Sequence, residues 1–86
     1  MPTLLYTPKF ARQWKKLEPA LQEETEERLA ALRKNPKQAS LKMHKLTGRL
    51  KGFLSCSVNY RYRIIFEWDD PKTIAVLSVG DHDVYR

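Results

Sequence analysis

The sequence predicts an α+β domain, with a helical hairpin packed on a mostly antiparallel four-stranded sheet in the order β-α-α-β-β-β. Three observations predict it. Apolar residues recur at helical spacing through the first third of the chain, and apolar and polar residues alternate through much of the second half. Proline, glycine and Asx residues punctuate the segments between them. At 86 residues the chain has room for one domain, residues 1–86, and one modest core.

Thr3 to Tyr6 reads as a short first strand. Thr7-Pro8 follows as a helix N-cap with proline at the first helical position. Phe10, Trp14 and Leu17 then lie on one helical face, with Arg12, Lys15 and Lys16 off it. Pro19 ends this helix or opens the next, which runs to about Lys34 with Leu21, Leu29 and Leu32 inward. Asn35-Pro36 stops it, because the residue before a proline disfavours the helical region. The stretch from Lys37 to Gly48 is irregular. Arg49 to Val58 alternates as a strand, with Leu50, Leu54, Cys56 and Val58 on one face. Tyr60 to Trp68 forms the next strand, with Tyr60, Tyr62, Ile64, Phe66 and Trp68 on one side and Arg61, Arg63, Ile65 and Glu67 on the other. Asp69 to Lys72 turns the chain into a last strand, Thr73 to Val79, which Gly80 breaks.

Composition excludes several classes. The chain is 42% hydrophobic and 30% charged with only three glycines, which is globular rather than disordered or fibrous. Cys56 is the single cysteine, so no internal disulfide forms and a cytoplasmic setting is expected. The apolar start is too short for a signal peptide, and no window is long and apolar enough to span a membrane. The net charge of +6 is unevenly spread. Between Glu27 and Glu67 there is no acid, while ten bases fall there, from Arg28 to Arg63. Such a run attracts polyanions.

Arg61 and Arg63, two apart on one predicted strand, project from the same sheet face, where each needs a counter-charge or water. Either they pair with Glu67, Asp69 or the terminal aspartates, or they meet an anion. Arginine suits phosphate because its planar fork donates two hydrogen bonds at once. His44 and His82, the only histidines, flank the run of strands. Taken singly each is an ordinary surface residue. Together, or with a tyrosine beside an arginine, they suffice for RNA cleavage. A base takes the 2′-OH proton, the oxyanion attacks the adjacent phosphate, and an acid protonates the leaving 5′-oxygen. No metal or cofactor is expected, because Asp81-His82-Asp83 and Cys56 make no recognisable ligand spacing. Cys56 sits on the apolar face of its strand and reads as packing rather than nucleophile.

The stretches His44-Lys-Leu-Thr-Gly-Arg-Leu-Lys-Gly-Phe-Leu-Ser-Cys-Ser-Val, Tyr60-Arg-Tyr-Arg-Ile-Ile-Phe and Val79-Gly-Asp-His-Asp-Val-Tyr85 resemble the RelE/ParE superfamily of bacterial toxin–antitoxin toxins. The resemblance spans nearly the whole chain and implies an antitoxin as protein partner. It leaves two activities open, and a third reading in which the chain is a catalytically weakened binding protein that keeps only the fold. RelE-like branches, including the YoeB and YafQ types, cleave mRNA on the ribosome, whereas ParE-like branches inhibit DNA gyrase. Residue matches favour the first, a metal-independent endoribonuclease. Arg63 matches the strand arginine at the scissile phosphate, with Arg61 in support. His82 falls at the catalytic histidine near the C-terminus, Tyr85 at the functional C-terminal tyrosine, and His44 near a further acid–base position. Lys45, Arg49 and Lys51 are expected to contact the RNA backbone without reading sequence. The chain departs from the family where Leu54 and Cys56 replace a lysine pair and Ser57 replaces a second histidine.

Overall fold

The computed structural model describes residues 1–81. The elements run β1 (Thr3–Tyr6), α1 (Pro8–Lys15), α2 (Pro19–Lys34), β2 (His44–Lys45), β3 (Leu54–Ser57), β4 (Arg63–Asp70) and β5 (Thr73–Gly80), with single 3-10 turns at Ala39–Leu41 and Gly48–Leu50. Among the described residues the sheet has five strands rather than four, in the order β1-β5-β4-β3-β2. Only β1 runs parallel to its neighbour, because the helical hairpin carries the chain back from β1 to lie beside β5. The expected class stands. The added strand is β2, two residues that pair with the exposed edge of β3.

The hairpin starts as the sequence predicts. Thr7 Oγ1 accepts from the Phe10 N–H at 3.1 Å and donates to the Leu77 carbonyl at 2.9 Å, so one hydroxyl caps α1 and ties it to β5. Pro19 opens α2, and α2 ends at Lys34 before Asn35-Pro36. Phe10, Leu29 and Leu32 pack with Cys56, Ile64, Phe66, Ile74, Val76 and Val79 in one core that also holds Leu41 and Val58.

β4 runs on to Asp70 and β5 to Gly80, past the expected ends, and two further differences in the strand boundaries matter for the site. Residues 49–53 do not extend β3. Gly48 and Gly52 take φ of +65° and +98°, a region that other residues enter only at a cost, and the chain between them winds into a 3-10 turn. That segment folds over the sheet, where Leu50 and Phe53 line a cavity of about 210 Å³ with Ile65, Leu77 and Ser78. Ile65, expected on a solvated face, is therefore buried. The second boundary is at Asn59. Its Oδ1 accepts from the N–H groups of Arg61 (2.9 Å) and Tyr62 (2.8 Å), an Asx turn that ends β3 and delays β4 until Arg63. Tyr60, 92% exposed, and Arg61 thus lie in the turn and not on the strand.

Candidate functional site

Strand register assembles the site on the sheet face opposite the helices. Ser57 pairs with Arg63, and Arg63 with Gly80. Two residues along, His44, Ser55, Ile65 and Ser78 form a parallel row across four strands. Residues directly opposite, and residues two apart, share a face. His44 and Arg63 therefore share one, separated by two strand spacings and two residues, about 12 Å between Cα atoms.

Arg63 is half-buried, and its three hydrogen bonds all run through Nη1: to the Asn59 carbonyl (2.7 Å), Ser57 Oγ (3.1 Å) and the Tyr62 carbonyl (3.3 Å). Every acceptor is neutral. Among the described residues no carboxylate lies within ion-pair distance of it. Held among the described residues only by neutral oxygens, this half-buried guanidinium is partly stripped of water without gaining a counter-charge from them, which favours an anion at its open edge. Arg61 differs. It stands 3.8 Å from Asp81, with 62% of its side chain exposed, and its guanidinium lies 6.0 Å from the Tyr62 ring. The pairing alternative weighed for both arginines thus holds for Arg61. The two arginines do not project side by side, because the Asx turn separates them.

His44 and Lys45 are exposed on the edge strand β2, and Arg49 and Lys51 are exposed in and after the turn at Gly48–Leu50. Lys51 and Lys45 line one open concavity of about 750 Å³ with Phe53 and Leu54. His82 and Tyr85 lie outside the described residues.

Sequence reasoning gave no positioning role to three residues that build the site. Ser57 and Asn59 hold Arg63, and Arg28 reaches from α2 to donate through Nε to the Val58 carbonyl at 3.2 Å. Asn59 was detectable as an Asx-turn former between two apolar runs. Arg28 carries no such signal, being one base among many on a charged helix.

Cys56 is buried in the core as expected. Burial pushes its thiol from 9.0 up to about 12, against the opposing fields of Arg28 and Arg63. A raised native value means that the unfolded chain ionises first. The contribution to stability is intact below pH 9 and is lost as pH climbs from 9 toward 12, at about 1.4 kcal/mol per pH unit. Denaturation midpoints of wild type and Cys56→Ala, compared across that range, should show the steeper alkaline fall in the wild type. In native protein a thiol reagent should leave Cys56 unlabelled.

Residues 4–84 match the family model described as the ParE toxin of the type II toxin–antitoxin system parDE. The chain belongs to this toxin family. It sits within the RelE/ParE superfamily that its sequence resembles. The toxin is similar in fold to YafQ from E. coli strain BL21(DE3), at TM-score 0.81 and 18% identity over 99% of this chain and 98% of that one. It is similar also to a YoeB/ParE toxin from Agrobacterium tumefaciens, at TM-score 0.77 and 15% identity over 93% and 98%. A chain of the RelBE2 toxin–antitoxin complex from Mycobacterium tuberculosis aligns at TM-score 0.78 and 25% identity over 95% and 100%. No curated protein matches the sequence. No helix among the described residues is long and apolar enough to cross a membrane.

Proposed function

We propose that this toxin is a metal-independent endoribonuclease that cleaves mRNA on the ribosome and is held in check by a cognate antitoxin. The observation that carries the proposal is the half-buried Arg63 guanidinium, held by neutral acceptors on the face that also bears His44. Arg63 neutralises charge on the scissile phosphate as the 2′-oxygen attacks. His82 serves as the leading acid–base group, with Tyr85 and His44 assisting. Arg61, exposed and exchangeable from Asp81, adds to the field, while Lys45, Arg49 and Lys51 track the backbone. Proton transfer and charge neutralisation by these groups complete the reaction, so chelators should leave it unaffected. The partner is expected from the neighbouring reading frame, in line with the RelBE2 relative being a toxin–antitoxin complex.

A second reading has its own support. The matching family model is that of the parDE toxin, and ParE-like branches act on gyrase rather than RNA. Purified toxin added to a translating extract, with mRNA ends mapped and gyrase supercoiling assayed in parallel, separates the two. New mRNA ends with unaffected gyrase are expected. Intact message with blocked gyrase would establish the second reading instead. In the same extract, His82→Ala should reduce cutting by about 10²–10⁴-fold. Near-normal cutting would move the acid–base role to His44 or Tyr85.

A further inference from the structure

Arg63 presents five N–H donors in a rigid plane, and which of them meets a ligand depends on which are already engaged. Both hydrogens of Nη1 are committed, because three oxygens surround that one nitrogen: the Asn59 carbonyl, Ser57 Oγ and the Tyr62 carbonyl. Ser57 Oγ plays two parts, accepting from Nη1 and donating to the same Asn59 carbonyl at 2.7 Å. The hydroxyl therefore fixes the oxygen that makes the shortest bond to Arg63.

The loop that carries these oxygens is itself held. Asn59 Oδ1 accepts from two backbone N–H groups of the turn, and the Val58 N–H donates to the Tyr62 carbonyl at 2.9 Å. Arg28 secures the Val58 carbonyl from the other side. Among the described residues neither Nε nor Nη2 of Arg63 has a hydrogen-bond partner. These two nitrogens form the side-on fork of the guanidinium, whose two parallel N–H bonds match two oxygens of a phosphate.

We infer that Ser57 and Asn59 are positioning residues that clamp Arg63 by Nη1, so that the Nε–Nη2 edge is the one offered to the phosphate. This inference rests on the reading of Arg63 as the phosphate ligand and adds how the ligand is aimed. Ser57 touches no substrate in this arrangement; it acts through Arg63. A misaimed guanidinium still attracts RNA but stabilises the phosphorane poorly, so the loss falls on turnover rather than on binding.

Two measurements test the clamp. In heteronuclear NMR of the free protein, the Nη groups of Arg63 should give separate signals from hindered rotation. Ser57→Ala should merge them while the backbone spectrum stays native. Already merged signals in the wild type, or separate ones in Ser57→Ala, would overturn the clamp whatever the toxin does to RNA. In the cleavage assay, Ser57→Ala should lower kcat about 10-fold with KM changed less than about twofold, and Ser57→Thr should restore most of it. In an Arg63→Lys background, where there is no fork to aim, Ser57→Ala should cost nothing further. An equal loss in both backgrounds would make the serine merely structural. Arg63→Ala that cuts at the wild-type rate would instead remove the reading on which the inference rests. Loss of cutting in Arg63→Ala with normal kinetics in Ser57→Ala would reject the clamp alone.

Discussion

Arg63→Ala is expected to lower mRNA cleavage by about 10²–10³-fold while the protein stays folded. The size follows from where the charge sits. A surface cation contributes little, being screened by water and salt, as Arg61 beside Asp81 should be. Arg63 is half-buried with neutral partners, so its field at a bound phosphate is less screened. Arg61→Ala should therefore have a clearly smaller effect, within about 10-fold. Stability should change little. Removing the guanidinium leaves the Ser57 hydroxyl bonded to the Asn59 carbonyl, and the Asx turn does not depend on Arg63. Circular dichroism and a denaturation midpoint near wild type would confirm that the loss is chemical. Single-turnover rates on the same message give the magnitude.

Phe66→Ala should have the largest effect on the fold, about 3–5 kcal/mol by urea denaturation. Phe66 is fully buried, and it is the largest of the side chains so enclosed. It lies on β4 opposite Leu54 and Val76, so its ring fills the space beneath the helical hairpin in the middle of the sheet. An aromatic truncation there leaves a cavity that the hairpin and three strands cannot all close. A domain this small has total stability of about 5–10 kcal/mol, so the loss removes a large share of the margin, and at the low end of that range folded and unfolded protein become comparably populated. Activity should fall with the folded fraction. Where folded protein remains, its RNA affinity should be unchanged, which distinguishes this loss from that of Arg63→Ala.

Much of this architecture was legible in the chain. The helical hairpin announces itself through Thr7-Pro8, the Phe10–Trp14–Leu17 spacing and the stop at Asn35-Pro36, all of which are local physics. The alternation of Ile64, Phe66 and their neighbours likewise marks a strand before any fold is known. Three features escaped because they depend on distant partners or on competing local bonds. Strand β2 exists only because β3 offers an edge to His44 and Lys45. The alternation of Tyr60 and Tyr62 runs on past the true strand, because the Asn59 side chain outcompetes the ladder for two backbone N–H groups. Thr25 is fully buried on the inner stripe of α2, one turn from Leu29, yet a polar residue in an acidic run reads as surface. The same division applies to the site. Arg63 could be singled out as a candidate anion ligand from residue type and strand position. Its distinction from Arg61 was not, since the five-residue turn from Val58 to Tyr62 decides which arginine is half-buried and which pairs with Asp81.

The central claim is that RNA phosphate seats on Arg63, and one titration tests it most directly. A short RNA with 2′-O-methyl groups keeps its phosphates but lacks the attacking hydroxyl, so it binds without being cut. Followed by heteronuclear NMR of the arginine side chains, it should shift the Arg63 Nε and Nη2 signals at the same midpoint as overall binding, with Nη1 least affected. Saturation with Arg63 unmoved, and shifts confined to Arg49, Arg61 and the lysines, would contradict the account.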